Sequence, residues 1–286
     1  MARIREIRAR VVAIKKTQKI TSAMKMISAA RLARAQHAAE ASRAYGRKLA
    51  EVFASVASGI EADAHPLLAR REGARKLDVV LFTSDRGLCG AFNANLIKAA
   101  QAVIEARKAE FSAISVVCVG RRGRDHARRR RLESPRAWTG ISLPNAENAR
   151  EIAEYLIERF LSGASDEVVL VYARFVSAMS QVPTVTTVVP VLAAGDANAA
   201  PALPYEIEPD PQSLLAALLP SVVQFAVLRA LLENSASEHG ARMSAMESAT
   251  ENTRELIRSL TLDMNKARQT QITTELTEIV AGAEAL

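Results

Sequence analysis

Hydrophobic positions in this chain follow two periods, and the change from one to the other divides it into three parts. From Met243 onward a single seam advances in steps of three and four residues: Met243, Met246, Thr250, Thr253, Ile257, Leu260, Met264, Ala267, Gln271 and Thr274. That spacing is the heptad of a helix lying along a partner helix. Asp210 followed by Pro211 reads as an N-cap and a first-turn proline, so the predicted helix opens there. Before the last turn only Pro220 and Gly240 interrupt it. About 75 helical residues at ~1.5 Å each make a rod on the order of 110 Å, which is expected to project from any globular part. Residues 3–59 read as a second long helix. Ile4, Ile7, Val11 and Ile14 form one seam, and Ile20, Met24 and Ile27 form a second, slipped by about a residue. Alanines follow at 30, 33, 35, 38, 39, 41 and 44. A broken, alanine-lined seam predicts close packing against the C-terminal helix, with local changes of supercoiling. Gly59 and the Asp63–Pro66 region are expected to end this first helix.

Between the two helices the period alternates. Leu77–Thr83 is a buried-strand run, followed by a turn at Gly87 and Gly90 and a helix over about 92–109. Ile114–Val119 reads as a second strand, followed by an arginine-rich helix. Ala146–Leu161 is amphipathic, with Ile152, Tyr155, Leu156 and Phe160 on one face. Glu167–Phe175 is a third strand, and the β-branched run Thr184–Leu192 is expected to pair with it. This alternation implies a parallel or mixed sheet with covering helices. The Ala-, Gly- and Pro-rich segment 193–204 reads as a linker to the short piece Tyr205–Glu208. The expected domains are 1–60, a coiled-coil helix; 75–195, an α/β domain; and 205–286, the second coiled-coil helix. The α/β part is an insert between two helices that pair with each other.

Composition supports slim helices. The 286 residues are 49% hydrophobic but only 4% aromatic. The net charge is +7. Residues 1–59 hold thirteen Lys or Arg against three Glu, a net of +10, which leaves the remainder at −3. A negatively charged partner or surface suits such a chain. Cys89 and Cys118 match neither a disulfide framework nor a zinc spacing, which points to a reducing compartment. No uninterrupted run of about 18 apolar residues occurs, so no membrane span is expected.

Candidate chemistry is sparse. Ser84-Asp85-Arg86-Gly87-Leu88-Cys89-Gly90 follows a strand and precedes a helix, where a phosphate loop would lie. It fits neither G-x-G-x-x-G nor G-x-x-x-x-G-K-[ST], and reads better as a tight turn that Asp85 helps to close. Arg121, Arg122, Arg124 and Arg128 to Arg131 crowd one short helix. Phosphate-backbone contact is one reading, and it makes a basic coiled-coil nucleic-acid-binding protein the alternative function. No aromatics are interleaved for base stacking, however. His37, His65, His126 and His239 have no metal-ligand spacing. No catalytic, cofactor-binding or metal-binding set is expected in this chain.

The two chain ends carry a specific likeness. Thr17-Gln18-Lys19-Ile20-Thr21-Ser22-Ala23-Met24-Lys25-Met26 resembles the N-terminal helix of the γ-subunit family of bacterial F-type ATP synthases. Asn265–Ala283 is similar to that family's C-terminal signature, I-T-x-E-x-x-[DE]-x-x-x-G-A. Thr83–Asn95 and the Tyr205-to-Pro211 entry also match, so the resemblance covers the whole chain. It implies a central rotor shaft: a long antiparallel coiled coil of the N- and C-terminal helices with an inserted Rossmann-like α/β domain. The implied partners are the α and β subunits, which form a hexamer around the shaft, the ε subunit and the c-ring, with no nucleic acid and no cofactor. The implied location is peripheral, on the cytoplasmic face of the bacterial plasma membrane. Met24 and Lys25 match positions facing the β-subunit lever, where Lys19, Lys25 and Arg242 would meet acidic residues. Arg268 and Gln269 match positions that hydrogen-bond to β-subunit loops, and Thr273 and Glu275 belong to the same belt. Tyr205 and Glu208 match positions near ε and the c-ring. The chain departs from the family in its heavy arginine block and its Gly240. It also lacks a cysteine-pair insertion like that of chloroplast forms, which argues against thiol-switched activity.

Overall fold

The computed structural model describes residues 2–57, 65–71, 73, 75–191 and 210–284. Ten elements follow in order. They are α1 (Ala2–Ala57), β1 (Lys76–Phe82), α2 (Phe92–Arg107), β2 (Ala113–Val119) and α3 (Arg121–Arg130), then β3 (Ala137–Trp138), α4 (Ala146–Leu161), β4 (Glu167–Phe175), β5 (Gln181–Val189) and α5 (Pro211–Glu284). The chain divides into two compact units, one of 1–28 with 242–286 and one of 29–241. Gly59 and residues 60–64, with the stretch 192–209, lie outside the described residues.

In the larger unit the five strands form one sheet in the order β3-β2-β1-β4-β5. β1 pairs parallel with β2 and β4, β2 pairs parallel with β3, and β5 closes the sheet antiparallel to β4. The buried runs of β1, β2 and β4 are apolar on both faces, as a covered parallel sheet requires. One face, with Val80, Phe82, Val117, Leu170 and Tyr172, packs on α4 and on Phe53, Val56, Leu215, Leu219 and Val223 of the long helices. The other face, with Val79, Leu81, Cys118, Val169 and Val171, packs on Phe92, Leu96 and Ala100 of α2 and Ala127 of α3. The two-residue strand β3 carries no periodic signal in the sequence. Trp138 fixes it by donating from Nε1 to Glu151 at 2.9 Å.

Two polar devices tie this unit together. Asp78 is buried in β1, and Arg159 of α4 donates to it through Nε at 2.6 Å and Nη2 at 2.9 Å. Ser115 also donates to the Asp78 carboxylate. The paired carboxylate holds the Arg159 guanidinium firmly charged, against the opposing effect of burial. Arg71, in turn, spans Asp166 at 3.0 Å and lies over the Phe160 ring.

α5 begins as the sequence predicts. Asp210 accepts from the Ser213 backbone N–H at 2.8 Å and from its hydroxyl at 2.7 Å, the geometry of an N-cap. The helix continues through Pro220, which is exposed. Gly240 has a reason that the heptad alone does not supply. A β-carbon there would stand 3.2 Å from Ala178 Cα and 3.3 Å from the Phe175 ring, so glycine admits the β4–β5 turn against the helix. The expectation about membrane spans needs correction. α5 does contain a stretch long and apolar enough to cross a bilayer. The run is broken by Pro220, Ser221, Gln224 and Arg229, and its Leu215, Leu219, Val223, Val227 and Leu231 are buried in the core. Its hydropathy is that of a helix packed on a sheet.

A second correction concerns α1. Ile20 and Ile27, assigned to a slipped seam, are 60% and 55% exposed. In the smaller unit the first seam instead continues unbroken through Val11, Ile14, Gln18, Thr21, Lys25 and Ser28. In the larger unit the same period runs through Leu32, Ala35, Ala39, Ser42, Gly46, Leu49, Phe53 and Val56. Helix geometry keeps the step at three and four even where the residues turn polar. The outlying isoleucines face outward.

Candidate functional site

The heptad of α5 predicted from sequence is the inner face of the smaller unit. Met246 is buried, and Met243, Thr250, Thr253, Ile257, Leu260, Met264, Ala267 and Gln271 are half-buried. Thr274, the last position of that seam, is exposed. Across the pair, Thr250 donates to Thr21 at 2.8 Å, and Lys25 Nζ meets Glu247 at 2.5 Å. As the residue number rises on one helix it falls on the other, so the pair is antiparallel. The seam is thin and partly polar, which leaves much of both helices facing outward.

Several of the expected contact residues lie on that outer surface. Arg268, Gln269, Thr273 and Glu275 are exposed, and Met24 and Lys25 are half-buried. Lys25 is therefore not a free cation, because Glu247 already holds it. Arg242 is buried, at 7% exposure, and also has a partner within the chain. Glu275 accepts from Gln271 at 2.7 Å. The structure brings Lys25 to Glu247 across the pair but leaves the 268–275 group on the distal part of α5. Tyr205 and Glu208 lie outside the described residues.

The distal part of α5 has two unlike sides. At about 100° per residue, Ile272, Leu276 and Ile279 fall on one side, while Thr270, Thr273, Thr274 and Thr277 fall on the other. The three apolar residues are 48%, 57% and 67% exposed. Each of the four threonines donates its hydroxyl to the carbonyl four residues earlier, at 2.6–3.1 Å. With the hydroxyl hydrogen turned inward, the threonine side presents methyl groups and has few outward donors. Sequence reading found this segment through its motif. It missed the back-bonding, for which the run of threonines inside a predicted helix was the available signal, since each hydroxyl can share the carbonyl at i−4 with the backbone N–H. It also missed the exposed Ile20, Met26 and Ile27, which add an apolar patch on α1.

The loop after β1 does not form a phosphate site. Asp85 accepts from the Arg121 backbone N–H at 2.8 Å and from the Gly140 N–H at 2.6 Å. Thr83 Oγ1 accepts from the Gly123 N–H at 2.8 Å. The N-terminus of α3 is thus already capped by the chain's own carboxylate and hydroxyl, at the position an anion would take. Gly120, at φ 105°, lets the strand pass this close, since a β-carbon there would lie 2.2 Å from the Thr83 carbonyl oxygen. Asn234 and Ser237 of α5 hydrogen-bond to the Ala173 backbone of β4 at 3.3 and 3.0 Å, which brings α5 over the carboxyl ends of the strands. The cavity left there is about 120 Å³. Ligand pockets run to roughly 300–1,000 Å³. Among the described residues no group of three or more His, Cys, Asp or Glu is placed to hold a metal ion.

Comparison with known proteins gives consistent likenesses. A family model described as ATP synthase matches residues 3–286. The ATP synthase gamma chain of Anaeromyxobacter sp. (strain Fw109-5) is 47% identical over 290 residues, with all of both chains covered. That of Geobacter sp. (strain M21) is 45% identical, covering 100% of this chain and 99% of the relative. In fold, the chain is similar to one in the rotor of Euglena gracilis mitochondrial ATP synthase. There the TM-score is 0.68 at 22% identity, with 95% of this chain and 99% of the other covered. A chain in the central stalk and c-ring structure of the Tetrahymena thermophila mitochondrial enzyme gives 0.60 at 24% identity, covering 80% and 99%.

Proposed function

Because the chain belongs to the ATP synthase family, among its γ chains, we propose that it is the central rotor shaft of a bacterial F1F0 complex. The observation that carries this reading is the surface of the smaller unit. An antiparallel helix pair leaves its distal α5 segment exposed, with back-bonded threonines on one side and isoleucine and leucine on the other. Such a segment can lie against an apolar sleeve without directional hydrogen bonds that would stop it turning. The two unlike sides also mean that each orientation presents different chemistry to its surroundings.

The mechanism is linkage. Ion flow turns the c-ring, the ring turns the shaft, and the shaft offers a different face to each of three catalytic β subunits in turn. Each β site can shift between tight and open forms only by its differential contact energy with the shaft. Arg268, Gln269, Thr273 and Glu275 supply such contacts distally, and Met24, Lys25 and Arg242 supply them further along. Lys25 reaches a β-subunit carboxylate by exchanging it for Glu247, and Arg242 acts by supporting the pair from within. Tyr205 and Glu208 belong to the contact with ε and the c-ring. Residues 1–60 and 205–286 form the shaft, and 75–195 the domain that rests on the ring. The chain is non-catalytic and sits peripherally, through the complex, on the cytoplasmic face of the plasma membrane. The comparisons lend nothing to the nucleic-acid alternative.

The test is Lys25→Glu in the assembled complex. Assembly should persist, while ion pumping per ATP hydrolysed falls severalfold. An assembled variant that pumps as well as the parent would remove Lys25 from the coupling path.

A further inference from the structure

α1 has one glycine in its 56 residues, Gly46. Inside a helix glycine is destabilising relative to alanine, so its place there calls for a reason in packing. The reason is on α5, in the larger unit. A β-carbon on Gly46 would overlap the Phe225 ring at Cζ and Cε1. The ring edge therefore sits directly on the α1 backbone. Tyr45, beside this notch, meets the same ring with centroids 5.6 Å apart and planes at 58°. That is a favourable tilted aromatic pair.

The surroundings set this contact apart from the rest of the seam. α5 is built into the α/β core through Leu219, Val223, Val227 and Leu231, all buried. α1 is not. Between Leu32 and Phe53 it has no buried residue. Its seam there passes through Ala35, Ala39, Ser42 and Gly46. Such small side chains allow close approach but give little relief to decide which residues face which. Phe225 supplies the relief. If α1 slid by one turn, Ser42 or Leu49 would come under the ring, and by one heptad Ala39 or Phe53. Each carries the β-carbon that Gly46 lacks, so among these registers only the observed one receives the ring. The turn of α5 that bears Phe225 is itself anchored. Val223 and Val227 are fully enclosed, and Gln224 donates to the Ala146 carbonyl at the start of α4 at 3.3 Å.

We infer that Phe225 in the Gly46 notch is a register pin, the point at which α1 is fixed to α5 and through it to the α/β body. In the rotor reading, on which this inference rests, torque entering at the α/β domain reaches α5 directly through its core contacts. α1 receives it only across the seam. Without the pin, the smooth stretch from residue 35 to residue 46 lets that helix slip. Gly46 and Phe225 are positioning residues: they set where α1 stands against α5.

The test reads register in the purified full-length chain, by disulfide formation between introduced cysteines. Counting out from the pin in an antiparallel pair, Leu49 faces Val222, and Ser42 takes its place after a slip of one heptad. L49C/V222C should oxidise at least tenfold faster than S42C/V222C. With F225A added to both, that ratio should fall at least threefold. G46A, which fills the notch and leaves the ring no seat, should lower it as much. V52A, which thins the packing near the end of α1 without touching the notch, should change it by less than twofold. Thermal unfolding gives a second reading. G46A should lower Tm in the parent, where the ring must leave, and raise it in the F225A chain, where only the helix preference for alanine remains. In the assembled complex, G46A/F225A has a sound helix but no pin, so ion pumping per ATP hydrolysed should fall at least twofold while assembly persists. An unchanged ratio in F225A, an equal fall in V52A, a Tm raised by G46A in both chains, or full pumping by the assembled double variant would overturn the proposal. Failure of the parent chain to drive pumping in any complex would count against the rotor reading, whereas the register ratios, read in the free chain, judge the pin by themselves.

Discussion

The α/β unit and the helix-pair unit are built on opposite terms. In the first, Phe82, Phe160 and Ile152 are fully enclosed, and the buried carboxylate of Asp78 is met by two donors of one arginine. In the second, the described buried residues are Val11, Thr21, Ser28, Arg242 and Met246, of which only two are apolar. Burial of apolar surface is the main stabilising term in folding, so the first unit holds most of what keeps the chain folded. The second relies on helix propagation along its neighbour and keeps Ile20, Met26, Ile272 and Leu276 outside. The difference teaches what each unit can spare: in the helix pair, large apolar and charged groups stand outside, where the fold depends on them least.

The largest effect that bears on this contrast is expected from Phe160→Ala. The ring, carried by α4, is fully buried in the core with Arg71 over its face, and its loss should cost about 3–5 kcal/mol in urea denaturation. An equal loss from Met246→Ala in the helix pair would erase the distinction between the units. Asp78→Ala comes next. Removing one member of a buried pair strands the other, at about 3–5 kcal/mol. Arg159 keeps 18% of its side chain exposed, which places the loss near the lower end, about 3 kcal/mol. Asp78→Ala with Arg159→Met should recover part of it. Gly240→Leu is smaller, about 1–3 kcal/mol, because the β4–β5 turn must withdraw from α5 to admit the side chain. Stability unchanged by this substitution would show that the turn is only loosely seated.

The α/β unit was also the more legible of the two in sequence. Apolar runs at Leu77–Thr83, Ile114–Val119 and Glu167–Phe175 marked strands within a residue or two of where they lie, because a covered parallel strand is apolar on both faces. β3 stayed hidden because two residues have no period. The heptad of α5 was readable since Met246, Ile257, Leu260 and Met264 are large and apolar. That of α1 was not, because the seam passes through Gln18, Thr21, Lys25 and Ser28 while isoleucines stand beside it. A reading that follows hydrophobicity there follows the exposed face and mistakes it for the core. The Lys25–Glu247 pair was also beyond sequence, since its members lie 222 positions apart.

That pair offers the finest test of the contrast. Lys25 and Glu247 keep 39% and 59% of their side chains exposed, so their attraction is largely screened by water. A double-mutant cycle with Lys25→Met and Glu247→Gln in the free chain should give a coupling below about 1 kcal/mol, weaker still as salt is raised. The role proposed for Lys25 requires a weak pair, since the cost of leaving Glu247 must be smaller than the gain from another carboxylate. A coupling above about 2 kcal/mol, insensitive to salt, would instead mark a locked crosslink between the helices. Lys25 would then belong with Arg159 among the fixed arrangements of the fold, and the helix pair would no longer differ in kind from the α/β unit.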